Sequence, residues 1–159
     1  MADQQLWLLR HGEAVPHESK DDFERELTAR GERQSIAAGQ ALARLGVEFA
    51  ACYTSPFVRA AATAQLACRA LNIEPVEHDD LGKGFDADVA RELLAAHEDG
   101  KRVLLVGHNP SFEQVVADLT GARVDFKKGG VAAIAVAGSQ SALMALLRPR
   151  ELESLALSD

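Results

Sequence analysis

LWLLRHGEAVPHE, residues 6–18, runs four apolar side chains straight into Arg10, His11 and Gly12. A short unbroken apolar stretch ending in a glycine reads as a strand covered on both faces. Such a strand can stop at any polar residue. A fixed cation, a titratable imidazole and a glycine in succession ask for a further explanation.

The rest of the chain repeats the pattern. RVLLVG (102–107) is a second strong strand and runs into His108, while FAACYT (49–54) runs into Ser55 and Pro56. PVEHD (75–79) is a weaker strand, and GVAAIAVA (130–137) with SALMALL (141–147) reads as a closing hairpin joined by GSQ. Between them lie helices. Thr28 is a plausible N-cap for 29–45 and Gly46 its stop. Ser55 with Pro56 reads as a second helix start, a hydroxyl cap followed by proline at the first position. Phe57, Ala61, Ala64, Cys68 and Leu71 then mark one helical face, with Arg59 about one turn in. Val89, Leu93 and Ala96 mark a third helix, and Phe112, Val115, Val116 and Leu119 a fourth.

Strands separated by helices predict βαβ units, hence a single three-layer α/β domain over residues 1–159 with a mostly parallel central sheet flanked by helices. In such sheets ligands bind beyond the carboxyl ends of the strands. Arg10 and His11 follow strand one, Ser55 and Arg59 strand two, His78, Asp79 and Asp80 strand three, and His108 strand four. The sheet is therefore expected to bring two arginines and two histidines to one rim.

Composition bounds what this rim serves. With 47% hydrophobic and 26% charged residues in 159, the chain can bury a core and is not disordered. A net charge of -7 argues against nucleic acid or an anionic membrane as a general partner. No apolar run reaches the roughly 20 residues of a membrane span, and MADQQLW is no signal peptide. Cys52 and Cys68 are too few for a disulfide framework or a CxxC site and read as reduced core residues of a cytoplasmic protein. No Walker A loop, GxGxxG or metal-ligand cluster occurs, so no cofactor or metal is expected.

Two guanidiniums and two imidazoles on one edge suit a phosphate, whose paired oxygens match the planar arginine fork. A histidine adds a nitrogen nucleophile that needs no metal. The flanking Gly12 and Gly107 are expected to let the backbone approach the phosphate closely.

LLRHGEA, RELTARGERQ (25–34), YTSPFVRAAATA and VLLVGHNPS together resemble the signature blocks of the histidine phosphatase superfamily, the phosphoglycerate-mutase-like fold, over about residues 6–147. The short chain is most similar to the small SixA-like phosphohistidine phosphatases. The resemblance implies that His11 becomes phosphorylated, with Arg10, Arg59 and His108 forming the phosphate pocket. Arg25 stands where the small members also carry an arginine and is expected near the rim, with Ser55 and His17 as further substrate contacts.

Two departures from the wider superfamily narrow the expectation. Acid-phosphatase relatives follow the second histidine with an aspartate that protonates the leaving group, and this chain has Asn109. Mutase-type relatives supply a glutamate after strand three, where this chain reads EHDDLGKGFDAD. Asp79 or Asp80 could reach the rim, and the sequence does not decide whether either is an acid. Expelling an alkoxide demands a proton, whereas imidazole, whose conjugate acid has a pKa of about 6.5, leaves with little help. Only 48 residues separate Arg59 from His108, which leaves little chain for a lid. The expected activity is hydrolysis of phosphohistidine on a protein such as a phosphotransfer domain, without nucleic acid, membrane or cofactor. The alternatives are the same chemistry on a small phosphorylated metabolite and a non-catalytic module that recognises phosphate. Oligomeric state is not legible.

The remaining candidates read more plainly. His78 is a loop histidine and His97 the end of an amphipathic helix. Glu13 either orients the pocket or is an exposed loop acid, and FKKGG (126–130) is a solvated turn or a basic contact for an acidic partner or phosphate.

Overall fold

In the computed structural model, which describes residues 3–157, six strands form one sheet. They are β1 (Gln4–Arg10), β2 (Ala51–Thr54), β3 (Pro75–Glu77), β4 (Arg102–Gly107), β5 (Val131–Ala137) and β6 (Gln140–Leu147). Their order is β3-β2-β4-β1-β5-β6. β1, β2, β3 and β4 run parallel, β5 runs antiparallel to β1, and β6 closes the sheet antiparallel to β5. Five helices flank it, namely α1 (Ala29–Arg44), α2 (Val58–Leu71), α3 (Ala87–Ala95), α4 (Ser111–Thr120) and α5 (Pro149–Ala156).

The unbroken apolar run of β1 is explained by its two covered faces. Leu6 and Leu8 pack with Val103, Leu105 and the apolar faces of α3 and α4, whereas Trp7 and Leu9 pack with Leu104, Val106, α1, α2 and α5. All four are essentially buried, so truncating Leu8 to alanine costs about 2–5 kcal/mol. Among the described residues, no helix is long and apolar enough to cross a membrane.

The order of strands creates the crevice. β4 lies between β1 and β2, and the helices that follow β1 and β4 go to opposite faces of the sheet, α1 to one and α4 to the other. Adjacent parallel strands whose helices diverge leave a cleft at their carboxyl ends. Arg10 pairs with Gly107 and Thr54 with Val106, so three strand ends finish level. His11 N donates to Gly107 O at 3.0 Å and Ser55 N to Val106 O at 2.9 Å, which carries the alignment past the last ladder rung.

Several sequence expectations need correction. Thr28 does cap α1, accepting from Gly31 N, and Gly46 ends it at φ +76°. Ser55, however, is not a helix cap and Pro56 is not at the first helical position; α2 begins at Val58, and Arg59 is its second residue. The buried face of α2 is Arg59, Ala60, Thr63, Ala64, Ala67 and Cys68, not the stripe through Phe57, Ala61 and Leu71. Small residues there let α2 lie against α1, where a Cβ on Gly39 would overlap the Ala67 carbonyl oxygen. In α3 the core residues are Ala90, Leu93 and Leu94, and Ala96 is the C-cap. α5 was not anticipated, although Pro149 in its first turn and the Glu151 side chain accepting from Arg148 N are helix-start signals.

Candidate active site

The nucleophile candidate sits at the crevice floor. His11 is 5% exposed, and its ring centroid lies 5.2 Å from that of His108. Nδ1 is 2.7 Å from Gly12 O, an acceptor, so that nitrogen carries the proton. Nε2 receives a hydrogen bond from Arg59 Nε at 3.4 Å, so that nitrogen holds the lone pair. Both contacts assign the same tautomer. Burial, together with His108, Arg59 and Arg10, lowers the His11 pKa from 6.5 to about 3, despite the Gly12 carbonyl. The imidazole is neutral at physiological pH and presents an unprotonated nitrogen to the crevice.

The backbone that holds it is fixed by close packing. A Cβ on Gly12 would press 2.6 Å from Gly31 O, and one on Gly31 would overlap the Glu13 carbonyl oxygen. The glycine after His11 therefore answers the close approach of α1, not a phosphate. Gly107 likewise faces the ring of Phe112, with a Cβ only 2.9 Å from Cζ. Gly12 N donates to Thr63 Oγ1 at 3.1 Å, and that hydroxyl donates to Arg59 O at 2.8 Å. Thr63, fully buried, ties the His11 loop to the arginine helix. Sequence reasoning overlooked it, although a hydroxyl four residues after Arg59 on a helix was a usable signal.

His108 is oriented by Ser55. Ser55 Oγ accepts from Phe57 N at 3.1 Å and lies 2.8 Å from His108 Nε2. His108 Nδ1 is buried without a hydrogen-bond partner. Burial first, then Arg59 and Arg10, lower the His108 pKa from 6.5 to about 4, with Asp22 opposing. Arg10 Nη1 donates to Phe126 O at 2.7 Å while its buried Nε has no partner. Burial lowers the Arg10 pKa against the pull of Glu113 and Asp125, and a guanidinium stays cationic at neutral pH. Buried donors without acceptors are costly, and they suit an anion that brings its own oxygens.

A residue absent from the sequence expectations closes one side. Asp22 begins a 3-10 turn, Asp22–Glu24, and Arg59 Nη1 donates to its carbonyl at 2.7 Å. Its carboxylate lies 3.4 Å from Arg59 Nη2 and 2.8 Å from Arg25 Nη1. Arg25, then Arg59, hold that carboxyl below its ordinary range, so Asp22 is ionised at neutral pH. Arg25 is 5% exposed and pins the 14–28 loop, donating from Nε to Val15 O at 2.9 Å. His17 is exposed and meets Arg25 and Asp22, outside the histidine pair. Phe23 packs tilted against Phe57, and Phe57 meets His108 edge-on, each with centroids 5.0 Å apart.

Asp79 and Asp80 lie on an exposed 3-10 turn and line a cleft of about 500 Å³ beside Asp22, Phe23 and Phe57. Asn109 donates from Nδ2 to Phe126 O, the same carbonyl that receives Arg10. Glu13 accepts from Thr28 Oγ1 at the base of α1. His78 packs on Tyr53, and His97 hydrogen-bonds its hydroxyl at 3.0 Å. Cys52 and Cys68 are free and buried. FKKGG is more than a solvated turn: Phe126 is 1% exposed, and Gly129 N donates to both Arg10 O and His11 O.

The fold is met in known proteins. The family model of the histidine phosphatase superfamily (branch 1) matches residues 6–82, a span that holds Arg10, His11 and Arg59 but ends before His108. An uncharacterized protein of Picosynechococcus sp. is 34% identical over 136 residues, spanning 80% of this chain and 82% of its own. The structure of the protein histidine phosphatase SixA complexed with tungstate superposes with a TM-score of 0.83 at 24% identity, covering 93% of this chain and 99% of its own. Phosphoserine phosphatase of Entamoeba histolytica, in complex with 3-phosphoglyceric acid, superposes with a TM-score of 0.75 at 16% identity, covering 94% and 99%. At these identities the structural likeness is one of fold. Taken with the matched first half, it makes this chain a member of the histidine phosphatase superfamily.

Proposed function

We propose that the protein is a metal-independent phosphohistidine phosphatase that works through a phospho-His11 intermediate. The observation that carries the reading is the His11 tautomer: Nδ1–H held by Gly12 O, Nε2 unprotonated beside Arg59. Nε2 attacks phosphorus in line, forming the Nε2–P bond as the bond from phosphorus to the substrate ring breaks; that ring, protonated at its other nitrogen, leaves as neutral imidazole, and phospho-His11 keeps its Nδ1 proton. Water then attacks the same phosphorus as the Nε2–P bond breaks, its electron pair returning to His11 Nε2 and the water's proton passing to solvent, so that phosphate and neutral His11 are released. Arg10, Arg59 and His108 hold the equatorial oxygens. The related fold that binds tungstate, a tetrahedral oxyanion, supports an oxyanion site here.

The leaving group is argued from protons. Asn109 carries none to give, and Asp22 is held ionised by Arg25 and Arg59. Such a surrounding suits an imidazole leaving group better than an alkoxide. The substrate side chain would come from a protein such as a phosphotransfer domain. Cytoplasmic residence agrees with the two free thiols.

A second reading, hydrolysis of a small phosphomonoester, draws on one observation: Asp79 and Asp80 border the cleft beside Phe57, where an acid could stand. Phosphate release by wild type and His11→Ala, on a histidine-phosphorylated phosphotransfer protein and on a panel of sugar phosphates, decides between them. The expected result is release confined to phosphohistidine and reduced at least about 1,000-fold by His11→Ala. Efficient turnover of a sugar phosphate, lost in Asp79→Asn or Asp80→Asn, would select the second reading. Binding of phosphorylated partners with no release by wild type would make the chain a recognition module.

A further inference from the structure

Beside the histidine pair lies a second cleft, about 560 Å³, which the reaction does not use. Arg10 lines it, and so do Arg30 at the start of α1, Lys127 and Lys128 from the FKKGG turn, and Arg148 and Arg150 at the start of α5. Six cationic side chains there face three carboxylates, Glu13, Asp125 and Glu153, in a chain whose net charge is -7. The cations come from four separate segments, β1, α1, the FKKGG turn and α5, that only the tertiary structure assembles. The cleft is also coupled to the nucleophile's backbone, because Gly129 N, one residue beyond Lys128, donates to the carbonyls of Arg10 and His11.

The character of these charges says what they fit. Arg30, Lys127 and Arg150 are long, exposed side chains that reach partners of this chain's own: Arg30 is 3.5 Å from Glu13, Lys127 2.9 Å from Asp125, and Arg150 3.8 Å from Glu151. Their side chains are 66%, 55% and 77% exposed. Among the described residues, Lys128 has no ion-pair partner. Exposed cations already paired with carboxylates are poor at gripping one small phosphate, which calls for buried, fixed donors. They suit a broad surface of carboxylates that takes over those ion pairs.

We propose that this cleft is a docking surface for the acidic face of the phosphohistidine-bearing protein, set so that a partner seated there delivers its side chain past Arg10 to His11. The inference rests on the phosphohistidine reading and adds to it a residue-level basis for choosing protein over free amino acid.

The test measures kcat/KM for wild type and for Lys127→Glu/Lys128→Glu/Arg150→Glu on two substrates. One is a histidine-phosphorylated phosphotransfer protein with carboxylates beside its histidine, and the other is free phosphohistidine. The triple variant is expected to lose at least about tenfold on the protein, through KM, and to stay within about twofold on the amino acid. Raising the salt should lower wild-type kcat/KM on the protein steeply and the variant's little. Equal losses on both substrates, or no loss on either with a flat salt response, overturn the docking surface. If wild type hydrolyses neither substrate, the phosphohistidine reading fails and the inference falls with it. Turnover of both with an indifferent triple variant removes the inference alone.

Discussion

Arg59 stands between the nucleophile and a carboxylate: its Nε donates to His11 Nε2 at 3.4 Å, and its Nη2 lies 3.4 Å from Asp22 Oδ2. One planar side chain thus serves two neighbours, and the second has the charge of the incoming phosphate. A phosphoryl group at His11 must compete with Asp22 for this guanidinium.

Removing that competitor should tighten oxyanion binding. Asp22→Asn keeps the side-chain shape and deletes the charge, a change of about 1 kcal/mol for partly solvated ions. The expected result is a Ki for orthovanadate or inorganic phosphate lower by about three- to tenfold. A higher Ki would mean that Asp22 matters as the brace of Arg59 rather than as its rival. Arg59→Lys should lose at least about 100-fold in kcat/KM, since an ammonium cannot span both neighbours.

Stability should depend on pH through His11. Folding lowers its pKa from 6.5 to about 3, and His108 follows to about 4. Between those values the unfolded chain takes up protons that the folded chain refuses. Stability is therefore full above about pH 6.5 and falls as pH drops toward 4 and below. For His11 alone the loss at pH 5 is roughly 2 kcal/mol. Urea midpoints from pH 8 to pH 5 measure it, and His11→Asn should flatten the slope. An unchanged slope would mean the imidazole is charged in the folded state.

Ser55 holds His108 through Nε2 at 2.8 Å and should act without holding the fold together. Ser55→Ala is expected to lower kcat about tenfold while moving the Tm by a few degrees at most. Ser55→Thr keeps the hydroxyl and should restore part of the rate if the side chain fits. A fall in Tm large enough to account for the lost activity would make Ser55 a packing residue only.

The glycine behind His11's loop predicts a matched pair of effects. Gly31→Ala drives a methyl into the Glu13 carbonyl and should cost about 3 kcal/mol, and turnover should fall with it because the His11 loop moves. Gly46→Ala meets nothing within 4 Å and strains only φ, so about 1 kcal/mol is expected with turnover intact. Thermal melts and phosphate release on both variants separate the two.

Periodicity along the chain already carried most of the fold. Apolar runs alternating with amphipathic segments demanded buried parallel strands and helices on both faces, and the strands appear near the expected places. Strand-end chemistry carried the rim as well, because parallel strands must finish on one edge; His11, His108, Arg10, Arg59 and Ser55 do gather there. Local signals failed where tertiary packing overrode them. Ser55–Pro56 has the form of a helix start, yet the hydroxyl is drawn to His108 and the helix begins at Val58.

What the sequence by itself determined is the set of chemical groups and the layered sheet that lines them up, both consequences of residue type and spacing along one chain. What only the tertiary structure decided is which groups touch. Asp22 reaches Arg59 because the 14–28 loop folds back, Thr63 reaches Gly12 because α2 crosses α1, and α5 brings Arg148 and Arg150 beside Lys127. These contacts join residues far apart in sequence, so no local pattern announces them; they follow from close packing and from the need of buried polar groups for partners.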